Sequence, residues 1–341
     1  MMVLQDDIDY YNKGLKMRSN HITQSSISRR AIVAGGAVAG GAALLGQARA
    51  ADEKPMGRKP KVAIFSKHLR FLQGEELAKA VAELGFDGID LAVRKDGHVV
   101  PERVRQDLPP LVELIRKHGL EVPMLTTDIV DVETPYAEDM LRTMADLNIR
   151  YYRWGGLKYE GSQSYATQLA AMKPRVAKLA TLNARYKANA MFHTHSGVGV
   201  VGASIWDLYI LLKDFDPTSV GVNYDVGHAT VEGGVGGWIN SFNICGPYIR
   251  GIAVKDFLWV KGSRGWAPAW KPLGEGMVRL PQFFSMVAKT NFAGPMQLHF
   301  EYPLAGADTG KTKLTGSPDE VYAAMRKDLA LLRGYLDKAY A

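Results

Sequence analysis

The sequence predicts an α/β domain closed as a TIM-type (β/α)8 barrel, on three observations. Apolar runs of strand length alternate strictly with segments of helical period, eight of each. Such alternation argues a parallel sheet with crossover helices, and eight units argue closure. The polar residues that end the last four runs share one strand parity in each, as groups converging on a barrel mouth must. Finally, no Gly-x-Gly-x-x-Gly follows the first run, which weighs against the alternative, an open doubly wound dinucleotide fold. Gly197-Val198-Gly199-Val200-Val201-Gly202 matches that pattern only by letter, without an acidic residue at the expected distance, and reads as a βα loop.

Val62-Ala63-Ile64-Phe65 is the first strand. Gly74 to Leu84 follows with Leu77, Val81 and Leu84 at helical spacing, and Gly85 is the stop. Asp87–Ala92 is the second strand, and Pro101 opens a helix ending at His118-Gly119, where a cation suits the negative helix end. Further strands are expected at Leu120–Thr126, Ile149–Trp154, Ala190–His195, Val220–Asp225, Ile249–Asp256 and Met296–Glu301. Helices are expected around Ala137–Leu147, Tyr165–Lys187, Ser204–Lys213, Gly234–Cys245, Leu280–Lys289 and Pro318–Ala339.

The first fifty residues read differently. Ser28-Arg29-Arg30 precedes a glycine-interrupted, mildly apolar stretch to Leu45 and then Ala48-Arg49-Ala50, the order of a twin-arginine export signal with its cleavage site. The organisation expected is a signal over 1–50, a linker over 51–60 and the barrel over 61–341. The Tat export machinery is then a partner and the mature location is periplasmic. The apolar stretch is too short and too weakly apolar to span a bilayer, so no stable membrane insertion is expected.

The 341-residue chain is 47% hydrophobic with a net charge of +7, part of it in the leader. The basic residues form no concentrated stripe, which argues against a nucleic-acid partner. The single cysteine, Cys245, excludes an intrachain disulfide and a cysteine-based metal site, and reads as a small buried apolar residue. Nothing in the composition decides between a monomer and a homo-oligomer.

Parity sorts the strand ends. His193 and His195 share one face of the fifth strand, Asn223 and Asp225 of the sixth, Ala253 and Lys255 of the seventh, and Gln297, His299 and Glu301 of the eighth. Two His, an Asp, a Lys, a His and a Glu converging from four strands would be costly to bury without a function. Glu301 is a candidate metal ligand or general base, His195 and His228 are candidates to orient ligands or shuttle protons, and Lys255 is a candidate oxyanion stabiliser or a salt-bridge partner of Asp225 or Glu301. Lys67 and His68 after the first strand, Arg94 and His98 after the second, Arg153 with Trp154 on the fourth and Trp259 after the seventh are candidate substrate contacts. The stretch Trp259–Trp270 holds three tryptophans and reads as a lid or a sugar-stacking platform.

Over 61–338 the chain resembles the xylose isomerase-like TIM-barrel superfamily, the sugar isomerase/epimerase group with an endonuclease branch. The motifs are Gly85-Phe86-Asp87-Gly88-Ile89-Asp90-Leu91 and Gly221-Val222-Asn223-Tyr224-Asp225-Val226-Gly227-His228. Val93-Arg94-Lys95-Asp96-Gly97-His98-Val99-Val100-Pro101-Glu102 makes it look like an exported subset. The resemblance implies one divalent metal held by Glu, Asp, His and Glu on strands five to eight. This chain keeps the Asp as Asp225 and has His193, Ala253 and His299 at the other three positions, so a plain glutamate-pair epimerase is not implied. Carried over in this way, His193, Asp225 and His299 form a two-imidazole, one-carboxylate set that suits one divalent transition metal (Mn, Zn, Fe or Co) better than Mg or Ca.

The activity expected is a metal-dependent isomerase or epimerase acting on a keto or aldo sugar through an enediolate. A keto-sugar lyase or hydratase on the same scaffold is the near alternative. A non-catalytic sugar-binding barrel is a second, and a nuclease a third, for which these strand ends hold too few carboxylates.

Overall fold

The structure, a computed structural model, describes residues 57–341; the expected export signal and residues 51–56 of the expected linker lie outside them. Among the described residues ten strands and nine α-helices follow one another. They are β1 (Val62–Phe65), α1 (Gly74–Leu84), β2 (Gly88–Val93), α2 (Val104–Lys117), β3 (Glu121–Thr127), α3 (Ala137–Asp146), β4 (Tyr151–Trp154) and α4 (Tyr165–Tyr186). Then come β5 (Asn189–His193), α5 (Trp206–Leu212), β6 (Val220–Asp225), α6 (Val226–Gly233), α7 (Gly237–Cys245) and β7 (Ile249–Val254). The chain closes with β8 (Asp256–Gly262), β9 (Gly265–Lys271), α8 (Leu280–Ala288), β10 (Met296–Leu298) and α9 (Pro318–Ala339). Strands β1 to β7 and β10 form a closed parallel barrel in the order β1-β10-β7-β6-β5-β4-β3-β2, so the predicted (β/α)8 architecture is the observed one. No helix of the described residues is long and apolar enough to cross a membrane.

The helices follow from local sequence. Leu77, Val81 and Leu84 bury one face of α1, and Gly85 ends it at φ 89° with its N–H on the Val81 and Ala82 carbonyls. Ser164 caps α4 by accepting from the Thr167 amide at 3.2 Å. The helix expected at Gly234–Cys245 is α7, and a helix that was not expected, α6, precedes it, starting directly from β6. The expected strands at 190–195, 249–256 and 296–301 end earlier. His195, Lys255, His299 and Glu301 therefore lie just past the ladders, on the βα segments.

Between β7 and α8 the chain makes an antiparallel hairpin, β8 against β9, where only a loop was expected. Its base is pinned by Asp256, whose carboxylate accepts from the backbone amides of Phe257, Gly274, Gly276 and Val278 at 2.9–3.1 Å.

Strand register places one side chain in two inside the barrel. Ala63 pairs with Gln297, Phe65 with Asp90, Ala92 with Thr126, Thr126 with Arg153, Arg153 with Met191 and His193 with Asn223. These share the inner face, while Val62, Ile64, Leu91, Tyr152, Phe192 and Tyr224 face the helices within one continuous apolar core. Gly251 on β7 is required there: a Cβ would meet the Asn223 amide oxygen at 2.7 Å and the Met191 sulfur at 2.8 Å.

Candidate active site

The Asp-x-x-His spacing at 225–228 has a mechanical origin. Asp225 ends β6 and caps α6, its Oδ1 accepting from the His228 amide at 3.0 Å. That bond spends one carboxylate oxygen on the helix and leaves Oδ2 facing the lumen. His228, in the first turn of α6, takes the Ser196 amide (3.1 Å) and hydroxyl (2.8 Å) on Nδ1. Its Nε2 meets Lys255 Nζ at 2.8 Å.

Lys255 is the hub of the mouth. Only 2% of its side chain is exposed, and Nζ lies 3.1 Å from Asp225 Oδ2 and 3.0 Å from Glu301 Oε2. The Trp270 ring lies over it, Nζ standing 4.3 Å from the centroid, and stands edge-on to His228 at 4.9 Å. Glu301 completes the group, facing His299 Nδ1 and Lys67 Nζ, each at 3.8 Å. Burial would raise the Glu301 pKa, but Lys255, His299 and Lys67 outweigh it and hold the group well below the carboxylate range. Asp225 goes the other way: complete burial raises it, opposed by Lys255 and the His228 amide.

His193, Asp225 and His299 each offer a donor atom within 4.8 Å of the others. His193 Nε2 stands 3.6 Å from Asp225 Oδ2, and the two imidazoles stack at 5.5 Å. Both His299 nitrogens are buried without a hydrogen-bond partner, and Asp225 Oδ2 has only its ion pair with Lys255. Orphaned polar atoms of this kind are expensive unless a ligand meets them, so the set fits a divalent cation. Burial keeps both imidazoles neutral, lowering His299 to about 4 and holding His193 well below its ordinary value, which is the form a metal needs. Asn223 Nδ2 meets His193 Nδ1 at 2.9 Å and pairs with Gln297 Oε1 at 3.0 Å, fixing the ring from behind.

Of the remaining expected contacts, Lys67, Arg94, Arg153 and His195 are gathered at the same mouth. Arg94, Arg153, His193 and His195 line one cavity of about 280 Å³ with Trp154 and Gly155. Arg153 Nη2 donates to His195 Nε2 at 3.3 Å; burial and that guanidinium lower His195 to about 3. Burial also lowers Lys67.

Three expected contacts lie elsewhere. His98 lies by the backbone of Leu69 and Leu72, where burial takes it to about 4, because the chain after β2 curls back onto the Ala92 carbonyl. His68 is fully buried and structural, bonding the Ala307 carbonyl (3.1 Å) and receiving the Phe300 amide (3.1 Å), which fixes the backbone just before Glu301. Trp259 pairs with Pro268, two residues farther out along the hairpin than the Phe257–Trp270 pair, and packs edge-on to Phe257 at 6.0 Å. Trp270 takes the position expected of it.

Sequence reasoning missed Asp90 and Thr126, which face the same lumen from β2 and β3. Thr126 Oγ1 meets both Asp90 oxygens at 2.9–3.0 Å, and burial lifts the carboxyl to about 7. The parity argument used for strands five to eight finds both when extended to strands two and three. A larger cavity of about 630 Å³ lies at the opposite rim, lined by Val62, Gly88, Glu121 and Tyr151, and none of the site residues reaches it.

The model of the family described as xylose isomerase-like TIM barrel matches residues 78–327. Among solved structures, the probable 3-DHS dehydratase AsbF of Bacillus anthracis is 15% identical with a TM-score of 0.60, covering 80% of this chain and 98% of its own. A xylose isomerase-like TIM barrel protein of Mycobacterium smegmatis, in complex with magnesium, is 16% identical with a TM-score of 0.60, covering 82% and 98%. D-psicose 3-epimerase of Clostridium cellulolyticum H10, with D-tagatose, is 13% identical with a TM-score of 0.58, covering 81% and 99%. No curated protein matches the chain.

Proposed function

The chain belongs to the xylose isomerase-like TIM barrel family, and from that premise we propose a carbohydrate-acting enzyme that moves a proton at the carbon beside a carbonyl. The reading is an isomerase or epimerase of keto or aldo sugars. The observation that carries it is Glu301. Its side chain is 23% exposed at the mouth while Asp225 and Lys255 beneath it are sealed, and it is ionised between two lysines. A carboxylate so placed can reach a substrate C–H from the open side.

His193, Asp225 and His299 are the residues that would hold a divalent metal, whose part is to polarise the substrate carbonyl and acidify the neighbouring C–H. The protein's own groups do the rest. Glu301 takes the proton and returns it to the next carbon for isomerisation, whereas epimerisation needs a second donor that delivers a proton to the opposite face. Lys67 and Lys255 stand where negative charge grows on the substrate oxygens. Trp270 keeps water from the Lys255–His228 pair. That pair, at 2.8 Å, supports a second reading, dehydration, because it can hand a proton to a departing β-hydroxyl. Export by the twin-arginine route to the periplasm rests on Arg29-Arg30 and Ala48-Arg49-Ala50. N-terminal sequencing of the periplasmic protein, beginning at Ala51, tests it.

The function is tested by incubating the protein with keto sugars in deuterium oxide. Deuterium should enter beside the carbonyl, and Glu301→Gln should slow the exchange by about 100- to 10,000-fold. Exchange that is absent with every sugar, or unchanged in Glu301→Gln, overturns the reading.

A further inference from the structure

Charge at the barrel mouth is unbalanced, and the imbalance has a location. Lys67, Arg94, Arg153 and Lys255 face Asp225 and Glu301, with Asp90 half neutralised near pH 7. Both lysines take up those two carboxylates. The arginines have none: among the described residues no Asp or Glu oxygen lies within 4.0 Å of the Arg94 or Arg153 guanidinium. Asp128, the carboxylate lining the same 280 Å³ cavity, is turned to the Lys95 amide at 3.1 Å. Arg94 rests on the Phe65 face at 5.4 Å, and Arg153 holds only His195. Burial, with Arg94 adding to it, pulls Arg153 down to about 10 against the weaker opposing pull of Asp90, Glu301 and Asp225, none of which touches it. Two partly buried guanidiniums that share a cavity and touch no carboxylate leave a place for an anionic ligand between them.

We propose that the substrate is a sugar acid whose carboxylate is gripped by Arg94 and Arg153, beside the His193–Asp225–His299 set. The inference rests on the function proposed above and narrows its substrate. A carboxylate is favoured over a phosphate on two grounds. Guanidinium forks match its planar oxygen pair. Barrel phosphate sites use the loops after strands seven and eight, whereas these arginines come from the loop after β2 and from β4. The carboxylate end then lies toward β4, which leaves the sugar chain running to Glu301 across the lumen.

The test is calorimetric titration of the full protein with D-glucuronate, D-glucose and D-glucose 6-phosphate, repeated on Arg94→Gln and Arg153→Gln. Glucuronate should bind about 10- to 100-fold more tightly than glucose. The ratio should fall towards one in each variant, with folding checked by thermal melting. Arg94, half-exposed on a loop, keeps the test open if Arg153→Gln fails to fold. Equal affinities for glucuronate and glucose, an unchanged ratio in a folded variant, a preference for the phosphate, or no binding of glucuronate each overturns the assignment. Failure of the enzymatic reading looks different: glucuronate binds with the predicted preference, but no deuterium enters any sugar.

Discussion

Replacing Lys255 by methionine removes the charge that two buried or half-buried carboxylates share, while keeping most of the side chain's volume beneath Trp270. At 3.0–3.1 Å and an effective dielectric of about 20, each contact contributes roughly 5 kcal/mol of attraction. Desolvation of Lys255 and repulsion between Asp225 and Glu301 offset much of this. Breaking a buried pair on one side costs about 3–5 kcal/mol, and that is the loss expected at pH 7. The sign of its pH dependence follows from the two carboxylates. Glu301 has a depressed pKa, so it stabilises the fold above the carboxylate range and loses that contribution as pH falls through its folded value. Without Lys255 its pKa rises, and the already raised Asp225 rises further. Both groups then take up protons at higher pH than in wild type, so the variant regains stability relative to wild type on acidification. Urea unfolding of both proteins at pH 7 and pH 5, with chelator present, measures this. A difference below about 1 kcal/mol at pH 7, or one that does not shrink at pH 5, would refute the account of Lys255 as the hub.

Asp256→Ala removes four amide contacts at the hairpin base and should destabilise by roughly 2–4 kcal/mol, with proteolytic nicking concentrated between 257 and 278. His98, His195 and His299 are held neutral, at about 4, 3 and 4 against an ordinary 6.5. Each therefore stabilises above pH 6.5 and withdraws about 1.4 kcal/mol per pH unit below it, so unfolding free energy should fall steeply between pH 6.5 and 4.

The barrel and the inward face of its last four strands were legible because period-2 alternation ties each side chain to a wall. His193, Asn223, Asp225 and His299 needed nothing else. The hairpin was not legible. Trp259, Val260 and Trp266 are all exposed and Pro268 interrupts β9, so neither strand shows the half-buried alternation that marks one. Helix α6 was hidden by Gly227, Thr230 and Gly233, poor helix formers that hold because Asp225 caps the first turn. Which loop residues turn inward depends on tertiary contacts. Hence Trp270 rather than Trp259 reached the site, and His98 curled away with the loop backbone.

Metal content of the natively expressed protein tests the central claim, a cation held by two imidazoles and one carboxylate. Elemental analysis should find close to one divalent transition metal per chain in wild type and a large loss in His193→Ala and His299→Ala, with circular dichroism unchanged. Metal-free wild type, or variants that retain as much metal as wild type, would contradict it.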